Sequence, residues 1–227
     1  MDGNGRWAKK KLLNRISGHI KGVDSVRTVV TACREIGIKY LTLYAFSKEN
    51  WKRPRGEVKA LMDLLYRYLI DELEEMLEND IRLNAIGELE NLPPKVQKKL
   101  LGTMKRTSHC QGMTLTLALS YGGRAEIIQA VTSIISDLEN KKITREQVSV
   151  DSFPAHLWTK GLPDPDLLIR TSGEYRISNF LLWQMAYTEI HVTETLWPDF
   201  GKKELLEAIL DYQSRERRFG LTSEQLG

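Results

Sequence analysis

The stretch Lys39-Tyr40-Leu41-Thr42-Leu43-Tyr44-Ala45-Phe46, which runs straight into Ser47-Lys48-Glu49-Asn50-Trp51-Lys52-Arg53-Pro54, decides the fold. Its first half is a short β-rich run of strand length; its second half is a polar loop ending at a proline that can start a helix. Beyond it Val58, Leu61, Met62, Leu65, Leu69, Leu73 and Met76 recur at three- and four-residue steps, which predicts one long amphipathic helix. Further β-rich runs lie at 81–86 (IRLNAI), 113–119 (MTLTLAL), 166–171 (DLLIRT) and 189–193 (EIHVT), each set apart by helical pattern. One helix is expected over Gly22 to Glu35. Another follows Gly123, with Ile127, Ile128, Val131, Ile134, Ile135 and Leu138 on one stripe, and a last carries Leu205, Leu206, Ile209 and Leu210. This alternation predicts an α/β fold with a mostly parallel central sheet flanked by helices.

The 227 residues show no internal repeat, linker or long charge block, so a single domain over 1–227 is expected. Hydrophobic residues at 41% and charged residues at 28% fit a chain with a core and exclude a disordered or low-complexity one. Lys+Arg 33 against Asp+Glu 30 leaves a formal charge of +3, too slight for a whole-molecule footprint on nucleic acid, so any anion site is local. Cys33 and Cys110 form no CxxC pair, which leaves them as buried thiols. No apolar run approaches the roughly 18–20 residues of a membrane span, and a cytoplasmic protein is expected.

Candidate polar residues fall in one kind of place. Ser47 to Arg53, Ser120 to Arg124 and Arg170 to Ser178 each follow a predicted strand, and in open α/β sheets ligands bind outside the carboxyl ends of the strands. At the start, Asp2-Gly3-Asn4-Gly5-Arg6-Trp7-Ala8 fails as a calcium loop, because Arg6 and Leu13 stand where oxygen ligands are needed. It matches a dinucleotide fingerprint, but without the strand that motif requires. As an anion nest, its two glycines let backbone N–H groups converge on a phosphate, with Arg6 adding charge and Asp2 free for a metal; an ordinary Asn-Gly turn is the competing reading. Arg170 and Arg176, with Ser172 and Ser178 between and beside them, suit a diphosphate that accepts bidentate bonds, and a strand-end salt bridge to Glu174 or Asp166 is the alternative. Glu189 reads equally as a metal ligand or an edge carboxylate. His19 is placed to donate to phosphate or to cap a helix, while His109, His156 and His191 share no ligand spacing. HExxH, GxSxG and GxxxxGK[ST] are absent, which disfavours zincin, serine-hydrolase and P-loop chemistry.

MDGNGRWA, the Gly18-His19 step, LYAFSKENWKRP with Glu57 beyond it, YGGRAEI, DLLIRTSGEYRISNFLLWQMAYTEIHVTETLWPDF and RERRFG together resemble the cis-prenyltransferases, in order from Asp2 to Gly220. The resemblance implies a homodimeric α/β enzyme with a hydrophobic product tunnel. It would elongate farnesyl diphosphate with isopentenyl diphosphate through Z double bonds, using Mg²⁺, to a long polyprenyl diphosphate such as the undecaprenyl carrier precursor of cell-wall polysaccharide. It implies Asp2 as the catalytic, metal-binding carboxylate and Asn50 as a catalytic loop residue, here read as positioning because a neutral amide is a poor base. Gly3, Asn4, Gly5, Arg6, Trp7, Arg15 and His19 would hold the allylic diphosphate, and Arg170, Arg176, Ile177 and Ser178 the isopentenyl diphosphate. Ser47, Lys48, Glu49, Trp51 and Arg53 would stand beside Asn50, and Glu189 would complete the Mg²⁺ site from the partner subunit. Leu61, Leu64 and Leu65 are expected on the tunnel wall, Phe180 to Phe200 at the dimer interface, and membrane-surface contact at product release. A shorter-chain synthase, a lipid-binding partner subunit without activity and, more remotely, a nicotinamide enzyme are the alternatives. Two departures stand out: the family's strand before Asp2 is either missing or cut off because the sequence lacks its natural beginning, and its usual Asn before Tyr-Gly-Gly is Ser120.

Overall fold

The computed structural model describes residues 1–218 together with 222 and 225. The five expected strands form, at Tyr40–Ser47 (β1), Ile81–Ile86 (β2), Met113–Tyr121 (β3), Leu167–Arg170 (β4) and Glu189–Val192 (β5). All pair in parallel, but in two separate sheets, β1-β3-β2 and β4-β5, rather than one. The order β1-β3-β2 makes β3 the inner strand, and from Leu115 to Tyr121 it is buried along its whole length except where Thr114 precedes it at the rim. Its first half alternates Thr with Leu, yet Thr116 and Ser120 are buried with the apolar residues because an inner strand is covered on both faces.

The helices depart from the sequence reading in three places. Helix begins at once, as Asn4–Lys10 (α1), and resumes at Arg15–Glu35 (α2) rather than near Gly22. Asn14 caps α2 by accepting the Ser17 N–H at 2.9 Å, an N-terminal signal that apolar spacing does not register. The predicted long helix breaks at Glu72 into Arg55–Asp71 (α3) and Leu73–Glu78 (α4). The break puts the buried Glu72 carboxylate on the Arg27 guanidinium of α2 at 2.5 Å and leaves Leu73 and Met76 in the core. Pro94–Arg106 (α5) follows. In Gly123–Glu139 (α6) the apolar stripe is split: Ile134 is buried, whereas Ile128, Val131 and Ile135 are 66%, 41% and 50% exposed. Lys202–Gln213 (α7) closes the described fold. Phe180, Leu181, Leu196, Trp197 and Phe200, expected at an interface, are buried within the chain's own cores. Phe219 and Gly220, which end the RERRFG stretch, lie outside the described residues.

Gly18 sets the spacing of α1 on α2. A Cβ there would lie 2.0 Å from the Asn4 carbonyl oxygen, so the two backbones touch where a side chain would separate them. That contact fixes the start of α1, which carries the candidate nest. Gly18→Ala should therefore lower unfolding free energy by about 1–3 kcal/mol. Denaturant unfolding checks this, and a midpoint equal to the parent's would show that α1 does not depend on the close approach.

Candidate active site

The carboxyl ends of the strands and the start of α1 meet around Asp2. Its backbone is clamped: its N–H donates to the Thr171 hydroxyl oxygen at 3.0 Å, that hydroxyl donates back to the Asp2 carbonyl at 2.9 Å, and the Trp197 N–H donates to the same carbonyl at 2.9 Å. Gly3 follows at φ 104°, a left-handed conformation, and a Cβ there would strike the Ser172 hydroxyl at 2.3 Å, so glycine is required on both counts. The Gly3 N–H turns back onto Asp2 Oδ1 at 2.7 Å, while Oδ2 takes Arg170 at 2.9 Å and faces Arg6 at 3.5 Å. Arg6 also donates to the Ser172 carbonyl at 3.0 Å and pairs with Glu174 at 3.0 Å; Arg176 pairs with the same Glu174, and Arg170 donates to the Ser178 hydroxyl at 3.2 Å.

The sequence assigned Arg6 and the Arg170 to Ser178 loop to separate cradles. The structure joins them, with Asp2 shared by Arg6 and Arg170 and Glu174 shared by Arg6 and Arg176. A cavity of about 730 Å³ opens over them, walled by Asp2, Gly3, Arg6, Arg15, Glu174 and Arg176. On residues that adjoin its wall without lining it, Asn4 Oδ1, His19 Nε2, Arg170 Nε and Ser172 Oγ are buried without a hydrogen-bond partner. Buried polar atoms are nearly always paired, so these orphans set this end of the fold apart.

The loop after β1 stands beside this cradle. Ser47 N–H donates to Asn50 Oδ1 at 3.2 Å, so the amide that the resemblance makes catalytic also shapes its own turn. Asn179 donates to Glu49 at 2.9 Å; burial works against the Glu49 carboxylate, and its hydrogen bonds from Asn179 and Ser47 hold it below the ordinary range. Trp51 packs edge-on against Phe46, and its indole N–H donates to Ser120 Oγ at 2.9 Å. Ser120, wholly buried at the end of β3, sits at φ 49°, a left-handed backbone that asparagine adopts more readily than serine. Arg53 pairs with the buried Glu57 at 3.0 Å, and Arg15 and His19 approach the same carboxylate at 3.7 and 3.6 Å. Burial, helped by Arg53, pushes the His19 pKa down against the pull of Glu57, so its ring is neutral at pH 7.

Trp51 also walls a second cavity, of about 450 Å³, with Val58, Met62 and Tyr66 of α3 and Val96 of α5. Leu61, Leu64 and Leu65, expected on a tunnel wall or in core packing, are half-buried, and Leu61 and Leu65 pack against the core. Four other expected site residues have these surroundings within the chain. Trp7 donates its indole N–H to Asp199 at 2.7 Å, Lys48 pairs with Glu88, Ile177 is exposed, and Glu189 pairs with Arg215 at 2.8 Å. Among the described residues no group of three or more His, Cys, Asp or Glu side chains could enclose a metal. The sequence reading counted Ser172 among the hydroxyl donors and Glu174 as a salt-bridge alternative, and it gave Thr171 and Asn179 no individual role. All lie within the quoted Arg170 to Asn179 run, and only their long-range partners reveal their use.

Known proteins share both fold and sequence. The chain superposes on a solved lavandulyl diphosphate synthase from Lavandula x intermedia, in complex with dimethylallyl diphosphate, with TM-score 0.94 and 36% identity over 97% of this chain and 95% of that one. A probable undecaprenyl diphosphate synthase from Campylobacter jejuni gives 0.78 and 39%, over 88% and 92%. These neighbours define the class, enzymes that make prenyl diphosphates. A family model described as putative undecaprenyl diphosphate synthase matches residues 1–220, and the chain belongs to that prenyltransferase family. Isoprenyl transferases of Geobacter sulfurreducens and Chlorobaculum tepidum are 56% and 54% identical to it, each over 226 residues, all of this chain and 92% and 85% of theirs. It is an isoprenyl-transferring enzyme, which retires the nicotinamide and inactive-subunit readings.

The Trp51 to Ser120 bond is the buried anchor of the loop, and removing its acceptor strands an indole N–H. Ser120→Ala should lower stability by about 1–3 kcal/mol, and the Ser120→Ala/Trp51→Phe double variant by less than the two single effects added together. Strict additivity in a double-mutant cycle would show that the bond carries nothing.

Proposed function

We propose that this enzyme condenses isopentenyl diphosphate onto farnesyl diphosphate, forming Z double bonds, to give a long polyprenyl diphosphate of the undecaprenyl class, the lipid-carrier precursor for cell-wall polysaccharide. The observation that carries the reading is the cavity over Asp2 walled by three arginines, Arg6, Arg15 and Arg176. Within reach of the same loop, Trp51 opens an apolar cavity suited to the chain, our candidate for the start of the product tunnel. The allylic C–O bond breaks, the isopentenyl double bond attacks the allylic carbon, and a proton leaves the adjacent carbon. Charge grows on the departing diphosphate, where Arg6, Arg15, neutral His19 and the N–H groups of Asn4 and Gly5 would stabilise it. Arg170, Arg176 and Ser178 would hold the second diphosphate so that its double bond faces the allylic carbon. Trp51 and the α3 side chains would keep water from the cation, and Asn50 would orient the reacting carbon while a diphosphate oxygen accepts the proton.

The donor set fits Mg²⁺ of the kind carried largely by substrate phosphates, with Asp2 as the carboxylate assigned to the ion, Glu174 beside it taken up by Arg6 and Arg176, and Glu189 supplied across a dimer. Bound there, the ion would neutralise diphosphate charge. Asp2 itself positions Arg6 and Arg170 and anchors the Gly3 turn, so Asp2→Ala should reduce turnover by more than about 100-fold, far more than it weakens isopentenyl diphosphate binding, which Arg176 and Ser178 would still support. Near-normal turnover at saturating Mg²⁺ would overturn the assignment, and chromatography of the parent's product tests the chain length.

For the homodimer, the support is the apolar face of α6, where Ile128, Val131 and Ile135 are exposed at helical spacing. Ile128→Asp/Ile135→Asp should sediment as a monomer and lose activity with it; an active dimeric variant would move the interface elsewhere. No helix among the described residues is long and apolar enough to cross a membrane. We place the enzyme in the cytoplasm, meeting the inner membrane face only peripherally.

A further inference from the structure

We propose that the turn between α1 and α2, with the first exposed face of α2, is a docking surface for an anionic lipid bilayer. Every residue from Lys9 to Ile16 is exposed. Leu12 is 96% exposed and Leu13 49%, and Ile16 and Ile20, one helical turn apart on α2, are 37% and 54% exposed. Beside them Lys9, Lys10 and Lys11 have no ion-pair partner among the described residues.

Leu12 is misplaced twice over for a residue facing water. The Leu12 N–H donates to the Lys9 carbonyl at 3.1 Å and the Leu13 N–H to the Ala8 carbonyl at 2.8 Å, closing the end of α1. That closure holds Leu12 at φ 58°, the left-handed position where helices prefer glycine. A branched apolar side chain there is strained as well as bare. Lysines at the end of α1 would complement its dipole, but that role calls for no leucine.

Apolar side chains ringed by lysines combine the two signals that reversible attachment to a bilayer needs: shallow insertion and attraction to acidic headgroups. A second copy of the chain is a poorer occupant, because a two-fold contact at this turn would set the lysine triplet against its own like charges. Leu12 and Leu13 also wall the 730 Å³ cavity, so docking would set the mouth of the site against lipid. That benefit rests on the prenyltransferase reading, in which the product is a long apolar chain; the surface itself does not.

The test uses the whole chain, without substrate, and pelleting with vesicles of equal parts phosphatidylglycerol and phosphatidylcholine. Binding should be salt-sensitive and absent with phosphatidylcholine alone. Leu12→Gly, which suits the left-handed backbone and so preserves the fold, should weaken it about tenfold, and Lys9→Gln/Lys10→Gln/Lys11→Gln about 100-fold. Ile20→Ser gives a second apolar probe away from the turn, and a thermal melt of each variant verifies folding. Equal binding to neutral vesicles, or parent-like binding by folded Leu12→Gly and Ile20→Ser, would overturn the proposal. So would loss of a lipid-free self-association in these variants, which would assign the face to a second copy. Pelleting reads no chemistry, so a failure of the enzymatic reading would register separately, in the turnover assay.

Discussion

The clamp on the Asp2 backbone is the constraint on which the site depends. One threonine hydroxyl, from the residue just past β4, both donates to and accepts from Asp2, and Trp197 adds a third bond from the far side of β5. Without it the Gly3 turn would have nothing to turn against. With it, a carboxylate and the first N–H groups of a helix are delivered to the ends of the strands. The indole of Trp197, donating to the Gly22 carbonyl at 2.9 Å, carries the same constraint into α2.

Charge at the site follows from that placement. Cations that would repel one another are interleaved with Asp2, Glu174 and Glu57, so that Arg6, Arg15 and Arg176 can wall one cavity while Arg170 and Arg53 hold carboxylates beside it. A diphosphate can take over these interactions without the arginines having to be assembled for it, which is the sense in which the cradle is preorganised. The buried orphans point the same way: their hydrogen bonds are withheld by geometry, since the residues beside them are already committed to one another.

Two faces of the molecule have no counterpart inside it. The α6 stripe and the α1–α2 turn both expose aliphatic side chains, but they differ in what surrounds them. The first is a helical row with few neighbouring charges at its own positions. The second is set among unpaired lysines. That difference in charge assigns them to different partners.

The sequence by itself determined the alternation of strands and helices, because each strand's apolar run and each helix's spacing are local patterns that burial imposes. It also determined where the polar loops fall, at strand ends, and the order of motifs that marks the family. Local pattern could not see the break at Glu72, which exists for a contact with Arg27, nor the split of the α6 stripe, since an apolar side chain reads the same whether it faces a core or another surface. Nor could it see that Trp51 would find Ser120, that Trp7 and Lys48 would be drawn to Asp199 and Glu88, or that Thr171 and Ser172 would hold Asp2 and Gly3. Those are pairings across tens to hundreds of residues. Residue type and spacing made the diphosphate chemistry legible, but only the tertiary structure decided which cation meets which carboxylate, because that depends on where packed helices place their side chains.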